Sequence, residues 1–184
     1  LEKNYQPKHV FLAIGICIAV SSPFLLIFAP QTIADSVYYT KGIYQVVFVP
    51  GENYIVYGIG LFLLIIAAMI ISIFDIRKFS IILSFVFVCL SIIPFWMASQ
   101  SFKLISEDGL SYRTLFSKQD LSYSWSEVEK VIYYKGEKGD FPEYEFLFID
   151  GNQLKFKANA YFQMVVPLVT DRLKKVNVSI EKDE

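Results

Sequence analysis

Three uncharged runs dominate this sequence: Val10–Ala29, Tyr54–Phe74 and Phe79–Ala98, of 20, 21 and 20 residues. At about 1.5 Å rise per residue, a twenty-residue helix is roughly 30 Å long, the hydrocarbon thickness of a bilayer. Core helices of soluble proteins seldom stay apolar over that length, so three runs in succession predict three transmembrane helices. The first run has a competing reading as a cleaved signal peptide. Its apolar stretch exceeds the usual h-region of about 7–15 residues. Phe28-Ala29-Pro30-Gln31 also offers no clean A-x-A cleavage site. A signal anchor fits better.

Charge divides the chain in two. Residues 1–100 carry nine charged side chains, while residues 101–184 carry twenty-six, twelve basic and fourteen acidic. That break sets a domain boundary near residue 100, with a transmembrane domain over 1–100 and a second domain over 101–184. Neither half has the basic stripe that a phosphate backbone demands, which excludes a nucleic-acid partner. The overall composition, 54% hydrophobic and 19% charged, is that of neither a disordered chain nor a typical cytosolic enzyme.

No ionisable residue lies inside any of the three runs. Intramembrane charges mark ion and proton paths, so a pump or transporter is not expected. Pro23 and Pro94 admit two readings. One is a broken helix lining a substrate path; the other is a kink whose freed carbonyl is met by Ser hydroxyls or a neighbouring helix. The uncharged spans favour the kink. Cys17 and Cys89 both lie within the runs and read as small apolar side chains rather than a disulfide or metal site. His9 has no second ligand nearby and makes no metal centre.

Asp75-Ile76-Arg77-Lys78 is short enough to be only a hairpin turn. Its two bases, with Lys3 and Lys8 in the N-terminal tail, place both segments on the cytoplasmic side. The segment Pro30–Asn53 carries Lys41 and the aromatics Tyr38, Tyr39, Tyr44 and Phe48, which suits a loop resting at the outer interface. Three spans then put the C-terminal domain outside the cell membrane. Lys103, Arg113 and Lys118, close to the third span, pull against that assignment.

From Phe102 the pattern becomes short strands with turn signals. Phe102–Ser106 and Leu110–Phe116 flank Glu107-Asp108-Gly109, and Leu121–Trp125 and Val131–Lys135 read as two more strands. Glu143–Ile149 and Gln153–Ala158 flank Asp150-Gly151-Asn152, the strongest hairpin signal in the chain. A three-residue loop there sets Phe148 opposite Leu154, Phe146 opposite Phe156, and Glu145 opposite Lys157 on the solvent face. Ser126-Glu127-Val128-Glu129 has capping-box spacing and predicts one helical turn, with Trp125 before it as a core anchor. Ala160–Lys175 has apolar positions in helical register, Asn159 as its cap, and Arg172, Lys174 and Lys175 in its last turn. Pro167 either kinks this helix or sits in the first turn of a shorter one starting near Val166.

Several antiparallel strands and one terminal helix describe a strongly bent sheet plugged by a helix. Ile105-Ser106-Glu107-Asp108-Gly109-Leu110, then Tyr123–Val131 around Ser124-Trp125-Ser126-Glu127, then Phe146–Leu154 around Asp150-Gly151, resemble the bacterial pleckstrin-homology-like (PH-like) domains. The likeness covers about residues 101–178. Domains of that family frequently follow transmembrane hairpins in small membrane proteins of Gram-positive bacteria. The expected fold is therefore α+β: three transmembrane helices, then a PH-like bent antiparallel sheet or barrel capped by a C-terminal helix.

The chain has no Gly-rich phosphate loop, no Gly-x-Ser-x-Gly, no His pair and no paired-Cys motif, so no catalytic, cofactor or metal residues are assigned. Glu137, Asp140 and Glu143 lie in one loop but lack the ligand density of a calcium site, and a plain turn is expected. Lipid-binding members of the fold hold inositol phosphates with bases around the first hairpin. Taking Phe102–Phe116 as that hairpin, its acidic tip Glu107-Asp108 repels phosphates and excludes specific phosphoinositide binding. The expected function is a non-catalytic membrane module contacting another membrane or envelope protein, as scaffold or accessory subunit. The alternative is a bacteriocin-immunity or envelope-stress protein intercepting a toxic peptide, since some small membrane proteins with similar domains look like immunity factors.

Overall fold

The computed structural model describes residues 7–38, 40, 43–136 and 139–183. Three helices open the chain: α1 (Pro7–Tyr38), α2 (Gly51–Phe74) and α3 (Lys78–Ser99). All three are long and apolar enough to cross a membrane. The first extends further than its apolar run. It continues through Pro30 into Gln31–Tyr38, where a loop was expected. Thr32 and Ser36 hydroxyls donate to carbonyls one turn back, and Gln31 donates to Asp35 at i,i+4. Polar residues thus support the helix from its own backbone, although Pro30 and their polarity read as a stop in sequence. Around Pro23 the hydroxyls of Ser21 and Ser22 donate to the carbonyls of Cys17 and Ile18.

Small residues set how closely the helices approach. A Cβ at Gly60 would lie 2.8 Å from the Phe95 ring, and one at Gly15 would meet Ala68 at 3.4 Å. Buried Ser84 donates across to the Ala67 carbonyl at 2.8 Å. Lys8 lies 3.9 Å from Asp75, so the start of α1 and the α2–α3 turn share one end of the helical unit.

Among the described residues, the remaining chain forms two four-stranded sheets rather than a closed barrel. The first contains β1 (Gln45–Phe48), β2 (Phe102–Ser106), β3 (Gly109–Arg113) and β4 (Leu121–Ser124), in that spatial order. The second contains β5 (Val128–Tyr134), β6 (Glu143–Phe148), β7 (Gln153–Lys157) and β8 (Ile180–Lys182), in the order β7-β6-β5-β8. β8 runs parallel to β5 and the other pairs of this sheet are antiparallel. The segment between α1 and α2, expected as an interfacial loop, thus supplies β1 to a sheet whose next strand begins after α3. The chain forms two compact units. One is Leu1–Tyr38, Phe48–Phe102 and Thr114–Phe116; the other is Tyr39–Val47, Lys103–Arg113 and Ser117–Glu184.

Two local expectations shift by a residue or two, and a third is decided between its two readings. The β6–β7 hairpin pairs Phe146 with Leu154, Tyr144 with Phe156 and Glu145 with Lys155. The glycine decides this register. A three-residue hairpin loop needs its last residue left-handed, and Gly151 has φ +84°. The loop is therefore Ile149-Asp150-Gly151, and the Phe148 amide bonds the Asn152 carbonyl. The capping box falls on Ser124 and Glu127, not Ser126 and Glu129, and closes a 3₁₀ turn over Trp125–Glu127. Finally, the terminal helix is split into α4 (Ala160–Gln163), capped by the Asn159 side chain, and α5 (Val166–Lys175), which has Pro167 in its first turn. Proline supplies no amide there, where none is needed. Phe162, Val165, Val169 and Leu173 are buried, as are Ile105, Leu110, Val131, Phe146 and Phe148, and the Phe162 ring meets Tyr144 and Phe156.

Candidate interaction surfaces

The chain leaves β1 into α2 and returns from α3 into β2, and a cluster at that junction joins the helix ends. The Asn53 side chain is 1% exposed. Its amide donates to the Ala98 carbonyl at 2.9 Å and the Ser101 carbonyl at 2.8 Å. Carbonyls at a helix C-terminus have no intrahelical partner, and a side chain from the start of α2 serves one of them, Ala98, together with Ser101 just beyond the helix. Tyr38, the last residue of α1, stacks on Phe102 with centroids 3.9 Å apart. Its hydroxyl donates to the carbonyls of Ser99 and Gln100. Sequence reading missed Asn53. Its signal is a lone amide at the edge of an apolar run, where a buried polar group needs a partner.

A second polar cluster ties the sheets together. The Tyr123 hydroxyl on β4 donates to Asp150 at 2.7 Å and accepts from the Asn152 amide at 2.7 Å. Asn152 also donates to Asp150 from its side chain and its backbone. Burial, then the bond to Asp150, pushes the Tyr123 phenol up to about 12. The same hydroxyl, helped by the Asn152 amide, holds Asp150 below the usual carboxylate range. The Tyr123 ring stacks on Phe148 at 3.8 Å. Nearby, the Trp125 indole donates to the carbonyls of Ser106 and Glu107 and so fixes the β2–β3 turn. Gly109 permits the tight approach of β3 to β4, because a Cβ there would run into the Tyr123 carbonyl. Trp125 is buried, as expected of a core anchor.

On the second sheet Glu145 departs from the solvated face expected for it. It is 5% exposed, receives the Tyr134 hydroxyl at 2.7 Å and pairs with Lys155 at 3.3 Å. The bond to Glu145 raises the Tyr134 phenol above its ordinary range. Lys155 also lies over the Tyr134 ring, 5.3 Å from its centroid. The triad is a satisfied ion pair on a sheet face. Asp140 and Glu143 line a small hollow of about 180 Å³ with Tyr134 and Lys157. Glu137, the third residue of the loop weighed as a calcium turn, lies outside the described residues. Among the described residues no three His, Cys, Asp or Glu side chains converge.

The profile of the bacterial PH domain family matches residues 38–182, well over half of the chain. The chain belongs to this family. The match starts before β1, so the family's bounds take in α2 and α3 as well as both sheets and the terminal helices. The bacterial PH domain here is thus wider than residues 101–178, and its first two strands are joined by the α2–α3 hairpin. The Glu107-Asp108 turn, taken in sequence as the first hairpin of the fold, is the second connection. The reasoning from its charge therefore applied to a different loop. No curated protein matches the chain. A solved structure described as "Structure of the Spt16D Pob3N heterodimer" aligns at 12% identity and TM-score 0.31. That alignment covers 46% of this chain and 46% of the other, so the chain spans about half the length of that structure.

Proposed function

We propose that this protein is a multi-pass membrane protein whose PH-like sheet acts by contact, as a scaffold or accessory subunit for another membrane or envelope protein. One observation carries the reading: the apolar α2–α3 hairpin is inserted between β1 and β2. A domain hung from one flexible linker can diffuse away from the bilayer. This domain is joined to apolar helices through both of its first strands, within a few residues of each helix end, so two short connections and not one tie it to them. PH-like domains are in general non-catalytic, which supports contact as the mode of action. No short basic loop joins β1 to β2, so specific phosphoinositide binding is not part of this proposal. The basic residues of the N-terminal tail and the α2–α3 turn favour the sheet on the outer side.

The test is photocrosslinking in native membranes from Ile149 on the β6–β7 loop and Met164 between α4 and α5, 68% and 63% exposed. A discrete adduct with one membrane or envelope protein is expected. Absence of any protein adduct from either position, with the chain folded and inserted, overturns the reading. Labelling Asp108→Cys with an impermeant maleimide in intact cells tests the orientation separately. Labelling only after permeabilisation places the sheet inside.

A further inference from the structure

The first sheet has two ends, and the chain enters it from α3 at one of them. β2 begins at Phe102, three residues after α3 ends at Ser99. Three residues span at most about 10 Å. Glu107-Asp108 turns the chain at the far end, so β3 comes back and finishes at Arg113 beside the start of β2. The β3–β4 connection, residues 114–120, therefore leaves the sheet at the end where α3 enters it. Consistent with this, Thr114–Phe116 belongs to the same compact unit as the helices.

This loop carries Phe116, which is 81% exposed, more than any other large apolar side chain among the described residues. The loop is braced. Arg113 donates to the Ser117 carbonyl at 3.1 Å and pairs with Asp120 at 3.5 Å. Lys118, two residues from Phe116, is exposed. Trp96, in the last turn of α3, is 61% exposed. Aromatic rings at helix ends gather at the headgroup level of a bilayer, and flanking lysines reach lipid phosphates.

We propose that the β3–β4 loop is a second membrane contact: Phe116 enters the interface of the leaflet from which α3 emerges, with Lys118 directed at its phosphates. The occupant is the bilayer that the helices cross. A single protruding ring between Arg113 and Lys118, continuous with the helix ends, suits a lipid surface better than a wide protein interface. The inference rests on the helices spanning that bilayer.

The full chain in phosphatidylcholine–phosphatidylglycerol vesicles tests it. An environment-sensitive label is placed at Thr114→Cys, or at Asp108→Cys on the far turn, with Cys17 and Cys89 replaced by Ala. Lipids spin-labelled near the headgroup should quench the Thr114 label several-fold more than the Asp108 label. Phe116→Asp should bring the two labels level. Equal quenching at both sites, or quenching at Thr114 unchanged by Phe116→Asp, overturns the proposal. A label on native Cys89, in a chain carrying Cys17→Ala, reports the helices through lipids spin-labelled near the chain end. Loss of that signal overturns the spanning reading itself; its presence with an unquenched Thr114 label overturns the loop contact alone.

Discussion

The helical unit and the sheet unit place large and small side chains in opposite ways. In the helices many large apolar residues face outward, and Phe62, Phe79 and Ile82 are more than half exposed, although Leu61, Ile70 and Ile71 of α2 are buried. Gly60, Ala67 and Ser84 provide close contacts between α2 and α3, where the Tyr57 and Phe95 rings also meet. In the sheet unit Phe146, Phe148 and Phe162 are fully buried, and serines and charged residues cover much of the outside. The difference is what helices placed in lipid and a sheet placed in water would give. Lipid tails are as apolar as leucine, so no hydrophobic force drives helices together, and close approach through small residues does the work. Water makes burial of aromatic area the main force in the sheet unit.

Trp125→Ala gives the largest break in this comparison. The indole fills the corner between β4 and β5, and its N–H holds the β2–β3 turn. Truncation should cost about 3–5 kcal/mol. Denaturant unfolding of the full chain in detergent, followed by circular dichroism, measures it. A loss under about 1 kcal/mol, the level of surface sites, would mean that aromatic burial does not carry the sheet unit.

The helical counterpart is smaller. Gly60→Leu places a side chain where even a Cβ meets the Phe95 ring at 2.8 Å. Overpacking of this kind costs roughly 1–3 kcal/mol. The thermal midpoint of the helices in detergent should fall, while Phe62→Leu, on the outward face, should leave it unchanged. The comparison is broken if the outward change costs as much as the change at the glycine.

The two units were not equally legible in the sequence. The helices could be read because bilayer thickness sets a length, and an uncharged run of that length has few other uses. Where α1 ends could not, since Pro30 and the polar residues after it look like a stop. β1 gave no usable signal. It is four residues long and pairs with a strand that begins only after two intervening helices, and no local pattern reports so distant a partner. The β6–β7 hairpin was visible, but its register turned on which loop residue takes positive φ, and Gly151 settles that. The polar lock was hidden for the same reason as β1: Tyr123 lies on a strand of the first sheet and Asp150 in a loop between two strands of the second, 27 residues apart. Asn53 stood in plain view at a span edge, without a partner that sequence could name.

That lock gives the smallest effect and the sharpest signature. Tyr123→Phe keeps the ring stacked on Phe148 and deletes the hydroxyl that serves Asp150 and Asn152. That hydroxyl makes two hydrogen bonds, one of them to a carboxylate, and because solvent screens the exposed Asp150 the expected loss is smaller than that of either packing change. In the native state Asp150 titrates below its ordinary value of 3.8, so its contribution is complete above that pH and is lost as the pH falls below it. Tyr123 is pushed from 10 to about 12, so its contribution is complete below pH 10 and is lost as the pH rises towards 12. The stability gap between the native chain and Tyr123→Phe should therefore be widest between about pH 4 and 10 and narrow on both sides. Urea unfolding across that range, followed by Trp125 fluorescence in a Trp96→Phe background, measures the gap. A gap that stays flat through both limits means that packing of the ring, and not the polar lock, joins β4 to the second sheet, and the sheet unit would then be aromatic throughout.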